Sequence, residues 1–198
     1  MRVEVSEEPM TALEEYASIP IAFEVGSILD VRPAGNGPCE FVLTERHLDL
    51  PYVKDYDSIN GEGPTQWARQ FDLSSWGLFT ARAGGRLVGG AVVAFSTPGL
   101  VMLEGRYDLA VLWDLRVSPE ARGQGVGSAL FRAADGWARA RGCGQLKVET
   151  QNINVAACRF YARQGCVLRA VNHRAYPGLA EEVQLLWYKD LSDNQPSG

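Results

Sequence analysis

Val117-Ser-Pro-Glu-Ala-Arg122-Gly-Gln-Gly125-Val-Gly127-Ser-Ala-Leu130 carries the chain from a strand, through a glycine loop, into a helix. The strand reading rests on the apolar run 109–117. The helix reading rests on Val126, Leu130, Ala133 and Trp137 at helical spacing, while Arg132, Asp135 and Arg139 fall elsewhere and Gly142 closes the element. Gly123, Gly125 and Gly127 place no side chain before an approaching ligand. A helix start adds unpaired N–H donors and the positive end of the helix dipole. Arg122 supplies a formal charge and a forked donor set suited to phosphate. The stretch Arg122, Gly123, Gln124, Gly125, Val126, Gly127 and Ser128 is therefore the candidate seat of a phosphorylated ligand.

Two phosphate-binding families fit poorly. A nucleoside-triphosphatase loop needs Lys and Ser/Thr after its last glycine, and Ser128-Ala129 follow here. A dinucleotide fold needs a third glycine or alanine where Ser128 stands, in a loop that opens a βαβ array instead of one past mid-chain. Glu149 alone mimics the ribose-binding acid of that fold. The pattern Arg122-x-x-Gly125-x-Gly127 instead resembles the acetyl-coenzyme A loop of the GCN5-related N-acetyltransferases (GNAT). The stretch Glu149-Thr-Gln-Asn-Ile-Asn154-Val-Ala-Ala-Cys-Arg-Phe-Tyr161-Ala-Arg-Gln-Gly165 resembles their second signature. Asn154 also reads as a helix N-cap, and Tyr161 as a half-buried helix aromatic.

Within that superfamily the chain is most similar to the streptothricin acetyltransferases. The likeness rests on residues 149–152 and 154–158, Val183-Gln-Leu-Leu-Trp187-Tyr188, and the earlier stretches 22–29 and 51–57. It departs from them at Trp113, where that branch often carries an acid, and at Cys166 after Gly165. The resemblance implies a GNAT acyl-CoA N-acyltransferase fold. It further implies acetyl-CoA as co-substrate and a small cationic amine as acceptor, with streptothricin the sharpest expectation. Other amines, and a non-catalytic acyl-CoA-binding module, are the alternatives.

The chain of 198 residues, 46% apolar, is long enough for one well-buried core. We expect a single domain over residues 1–191 and a frayed tail over 192–198. An acid-rich opening, without a basic start or an apolar span, points to a cytoplasmic enzyme without a membrane partner; Glu7, Glu8, Glu14 and Glu15 read as solvated surface. Cys39, Cys143, Cys158 and Cys166 show neither zinc spacing nor a Cys-x-x-Cys pair, so reduced core thiols and no metal are expected. His47 and His173 stand apart from any cluster. Residues 1–106 hold 8 basic and 15 acidic side chains, and residues 107–198 hold 11 and 9. That polarity suits an anionic cofactor meeting a cationic amine and disfavours nucleic acid.

Strands are expected near 22–31, 39–43, 78–83, 87–95, 109–117, 146–150, 167–172 and 183–188, and helices near 65–70, 125–141 and 155–164. Arg82-Ala-Gly-Gly-Arg86 reads as a hairpin turn. The fold class is α/β, a mixed and largely antiparallel sheet with helices on both faces. The strand near 183–188 is either plain core or the interface of a homodimer.

Acetyl transfer to an amine needs a base, a fixed carbonyl, an oxyanion donor and a proton for the departing thiolate. Asp114 and Glu149 are the candidate bases. By the family resemblance, the main chain of Leu115, Arg116 and Val117 pairs with the pantetheine arm, an amide near Leu115 faces the oxyanion, Asn154 bonds the arm and Tyr161 protonates the sulfur.

Overall fold

In chain order the elements of the computed structural model are β1 (Glu4–Glu8), α1 (Leu13–Ala17), β2 (Phe23–Pro33), β3 (Phe41–Lys54), α2 (Trp67–Gln70), β4 (Gly77–Ala83), β5 (Arg86–Ala94), β6 (Leu109–Val117), α3 (Val126–Ala140), β7 (Gln145–Gln151), α4 (Val155–Arg163), β8 (Val167–Asn172) and β9 (Gln184–Asp190). The structure describes residues 2–35, 40–59, 63–179 and 181–191. Cys39 and the tail 192–198 lie outside them. The fold is α/β, with β1 and β4 to β9 forming a mixed, mostly antiparallel sheet. The chain packs as two compact units. The first holds Met1–Ile21, Tyr56–Leu146 and Asp190–Gly198, the second Ala22–Asp55 and Lys147–Lys189.

In the first unit the strands run in the order β1-β4-β5-β6, each pair antiparallel. Gly84 and Gly85, at φ +57° and +81°, make the tight turn between β4 and β5 that the sequence predicts. From Val88 onward β5 is buried at every position, which is why its sequence reads as an unbroken apolar run. Helices press on both of its faces. A Cβ on Gly89 would lie 2.9 Å from Val126 Cγ1 and 3.1 Å from Leu130 Cδ1 of α3, and one on Gly90 would lie 2.6 Å from the Tyr16 ring of α1. The inner stripe of α3 (Val126, Leu130, Phe131, Ala134, Trp137) is buried. Each of its large side chains contributes about 1.5–3 kcal/mol by leaving water.

Two elements here have no counterpart in the sequence expectation, β1 and α1. The acidic run that reads as solvated surface is in part tied down. Glu7 accepts from Trp137 Nε1 at 2.8 Å and Glu15 accepts from Arg82 at 2.6 and 2.7 Å. The predicted helix near 65–70 is a 3-10 turn, Pro64–Gln66, running into the short α2.

In the second unit β2 and β3 form a separate two-stranded antiparallel ribbon, and the remaining strands are ordered β7-β9-β8. β3 extends eleven residues beyond the predicted 39–43, because its polar, largely exposed continuation lacks the apolar signature of a strand. Pro51 is tolerated in it because, among the described residues, β2 is its only partner strand. Residues 183–188 lie on or next to β9, which has strands on both sides, so the stretch presents no free strand edge. Asn152 pins the unit together. It is buried, its amide donates to the Leu29 and Glu181 carbonyls at 3.1 Å each, and its oxygen accepts from Val183 N–H at 2.8 Å.

Candidate active site

The loop from β6 to α3 takes the form its glycines require. Gly123 and Gly125 sit at φ +73° and +85°, in the left-handed region, and a Cβ on either would meet nothing within 4 Å. The side of the loop where those hydrogens point is therefore unfilled by protein. Gly125 is the residue before α3 and provides no side-chain cap, so the first-turn N–H groups of Val126, Gly127 and Ser128 precede the first intrahelical bond, Ala129 N–H to Gly125 carbonyl at 3.0 Å. Arg122 and Gln124 are exposed, and each braces the loop: Arg122 Nε donates to the Val117 carbonyl at 3.1 Å and Gln124 Nε2 to that of Glu120 at 2.7 Å. Val126 differs from its neighbours in that its side chain is buried against Gly89, which leaves only its main chain for a ligand.

The strand ahead of the loop is irregular at the candidate site. Leu115, Arg116 and Val117 pair with Ala91, Gly90 and Gly89, but the register slips upstream, where Val92 faces Asp114 and Val93 faces Leu112. Trp113 is the extra residue, and such a bulge directs two neighbouring side chains to one face. Trp113 packs with Trp67, Phe71 and Trp76 at centroid distances of 5.5–6.4 Å, on the face that carries Tyr16. Asp114 and Arg116 join that face.

Arg116 is the centre of a buried ionic group that the sequence does not reveal. Its side chain is 2% exposed; Nε donates to Asp114 Oδ2 at 2.6 Å, Nη1 and Nη2 grip both oxygens of Asp57 at 2.6 and 2.8 Å, and Nη1 also reaches the Ile19 carbonyl at 3.2 Å. Burial pushes the Asp114 carboxyl up from the ordinary aspartate range, and Arg116 pulls it back. Beneath them lies Tyr16, with Arg116 Cζ 5.4 Å from its ring centre. Burial, then the Asp114 charge, holds its phenol well above the usual value; its hydroxyl lies close enough to Asp114 to feel the carboxylate but, among the described residues, makes no hydrogen bond of acceptable geometry.

The second unit carries the other candidates. Glu149, half-buried on β7, accepts from Tyr176 Oη at 2.5 Å on Oε1 and from Gln184 Nε2 at 2.7 Å on Oε2. Gln151 Nε2 donates to Tyr176 Oη at 2.8 Å and lies 3.5 Å from Glu149 Oε1. All these donors are neutral, in contrast to the guanidinium on Asp114. Asn154 is the N-cap of α4, its oxygen accepting from Ala157 N–H at 3.1 Å, so the capping role read from sequence holds and the amide donors face elsewhere. Tyr161 is buried on α4 with its ring edge-on to Phe160 at 5.0 Å.

Cys143, Cys158 and Cys166 are buried free thiols, as expected. Among the described residues no group of three His, Cys, Asp or Glu is arranged to hold a metal ion, and no helix is long and apolar enough to cross a membrane.

Residues 43–166 match the model of the acetyltransferase (GNAT) family, and the chain belongs to that family. It is an acetyltransferase, and enzymes of this family use acetyl-CoA. The chain is 32% identical to a streptothricin acetyltransferase of Escherichia coli over 170 residues, 84% of either chain. A solved nourseothricin acetyltransferase is 26% identical, superposes with a TM-score of 0.75, and is matched over 97% of this chain and all of the other. A Bacillus anthracis protein solved in complex with acetyl coenzyme A shares the fold at 23% identity and a TM-score of 0.76, over 96% of this chain and 99% of the other.

Proposed function

We propose that this enzyme transfers the acetyl group of acetyl-CoA to a primary amine of a small polycationic acceptor, streptothricin, by direct attack in a ternary complex. The observation that carries the reading is the contrast between the two candidate acids. Asp114 is consumed by Arg116, whereas among the described residues Glu149 has only neutral hydrogen-bond partners, and it keeps a second lone pair on Oε2. A fixed carboxylate without a cation on it suits an arriving ammonium. Likeness to the E. coli streptothricin acetyltransferase supports the acceptor.

In this reading the diphosphate of acetyl-CoA lies on the N–H groups of residues 123–128 beside Arg122, and the main chain of residues 115–117 pairs with the pantetheine arm. The amide donors of Asn154, left over from capping, bond the same arm. Glu149 takes the proton of the acceptor ammonium. The amine nitrogen then forms its bond to the thioester carbon, the oxyanion is met by the main chain near Leu115, and the carbon–sulfur bond breaks. Tyr161 gives its proton to the departing thiolate and regains one from solvent, while Glu149, having passed the first proton to solvent, takes the second from the new amide nitrogen and releases it in turn. Asp114 acts through Arg116 on the shape of the strand. Both compact units belong to one catalytic domain on this account, since the family match runs through sequence from each.

The test is an acceptor screen with labelled acetyl-CoA and mass detection of products at neutral pH. Streptothricin should gain a single acetyl group at a rate far above those of lysine peptides, protein N-termini, polyamines and aminoglycosides. Preference for another amine would replace the acceptor, and cofactor binding without any transfer would leave a binding module.

A further inference from the structure

We propose that Tyr176 and Gln184 are positioning residues for the reaction, holding the Glu149 carboxylate in the one orientation in which it meets the acceptor amine. The inference rests on the reading of Glu149 as the proton acceptor and adds the residues that make it one.

Glutamate is a long side chain with three rotatable bonds, and fixing one costs rotamer freedom. Here two segments share that cost. Tyr176 comes from the connection between β8 and β9, and Gln184 opens β9. Tyr176 holds one oxygen at 2.5 Å, with Gln151 Nε2 further off at 3.5 Å, and Gln184 holds the other at 2.7 Å, so the carboxylate can neither swing nor rotate without losing a bond. Gln151 sets the direction of the first. Its amide N–H donates to Tyr176 Oη at 2.8 Å, and a phenol that accepts there has its own hydrogen left for Glu149. The relay Gln151, Tyr176, Glu149 thus runs one way. None of its members carries a positive charge, so the carboxylate is oriented without being neutralised, and the lone pair that remains on Oε2 is directed by the other bonds. Misplacing a reacting group by about 1 Å costs on the order of a hundredfold in rate, which gives the bonds a measurable worth.

The experiment uses the full chain with acetyl-CoA and streptothricin. Tyr176→Phe, Gln184→Met and Glu149→Gln are made singly, and Tyr176→Phe is also made in the Glu149→Gln background. We measure kcat and KM for the acceptor, and acetyl-CoA affinity by calorimetry. Tyr176→Phe and Gln184→Met should each lower kcat on the order of ten- to a hundredfold, while acetyl-CoA affinity stays within about twofold. In the Glu149→Gln background the Tyr176→Phe change should cost less than about twofold more, because a residue acting through Glu149 has nothing left to act on. Equal losses in both backgrounds, unchanged kcat in both Tyr176→Phe and Gln184→Met, or a parallel loss of acetyl-CoA affinity would overturn the proposal. Wild-type turnover by Glu149→Gln would sink the base assignment itself, and a wild-type chain that acetylates no amine would sink the function before it.

Discussion

Arg116 and Asp57, fifty-nine residues apart in sequence, are joined by two parallel hydrogen bonds of 2.6 and 2.8 Å inside the first unit. The same guanidinium holds Asp114, so one cation serves two acids, of which Asp57 is the more exposed at 32% against 8%. Removing the cation strands Asp114 in a buried site. Arg116→Ala should therefore destabilise by about 3–5 kcal/mol, read as the denaturation midpoint in urea. Asp57→Asn should cost clearly less, because its acid is partly solvated and Arg116 retains Asp114. Equal effects would mean that the Asp57 contact carries the group.

Tyr16 lies wholly buried below this group, with its hydroxyl unsatisfied. Leaving a polar group unpaired costs about 1–3 kcal/mol, so Tyr16→Phe should be neutral or stabilising by thermal melting. Gly90→Ala should do the reverse. Its methyl carbon would fall 2.6 Å from the Tyr16 ring and 2.8 Å from the Phe79 carbonyl, and overpacking of that kind costs about 1–3 kcal/mol. A lower melting temperature for Tyr16→Phe would show that the phenol has a partner.

At the cofactor loop, Arg122→Ala should weaken acetyl-CoA binding by removing a charge. Gly125→Val should weaken it more, by a branched side chain on the ligand side and by a φ of +85° that such a residue rarely adopts. Titration calorimetry checks both, and Gly125→Val at wild-type affinity would place the diphosphate elsewhere.

Tyr161→Phe should lower kcat on the order of ten- to a thousandfold for loss of a proton donor, with acetyl-CoA affinity nearly unchanged. Turnover at the wild-type rate would reduce Tyr161 to packing.

Burial pushes the Cys158 thiol up to about 11, against a bond with Thr150 that pulls it down. The unfolded chain ionises this thiol first, near pH 9, and so binds fewer protons than the folded chain between the two values. Stability should therefore fall as pH rises from about 9 to about 11, by on the order of 2 kcal/mol, and Cys158→Ala should lack that part of the decline. Parallel pH curves for the two proteins would show the thiol to be wetter than its surroundings imply.

What the sequence discloses follows from how local each signal is. The β6–loop–α3 stretch is legible because glycine spacing and helical periodicity both lie within it, and Asn154 shows as a cap for the same reason. Arg116 is legible only as part of a strand. Its side chain is placed by Asp57, a partner that no periodicity connects to it. The slip at Trp113 is hidden because 109–117 is apolar almost throughout, so a change of face leaves no mark in the pattern. Glu149 stands out because it opens the second signature stretch, while Tyr176 lies outside every quoted stretch and Gln184 is only one letter of a likeness near the end; both meet Glu149 through the return of the chain from β8 to β9. β1 and α1 escape because their acids look like solvent-facing surface, although α1 buries Leu13 and Tyr16.

The extra residue at Trp113 divides β6 into two halves that are out of phase with each other. Each half keeps step with β5, and the shift of one count falls only where they meet. A single-residue deletion there would join Leu112 to Asp114 in unbroken register with Val93 and Val92 and leave Arg116 opposite Gly90, on the face it already occupies. The strand would gain regularity, and it would lose the local bend and added twist that the extra residue puts just ahead of residues 115–117.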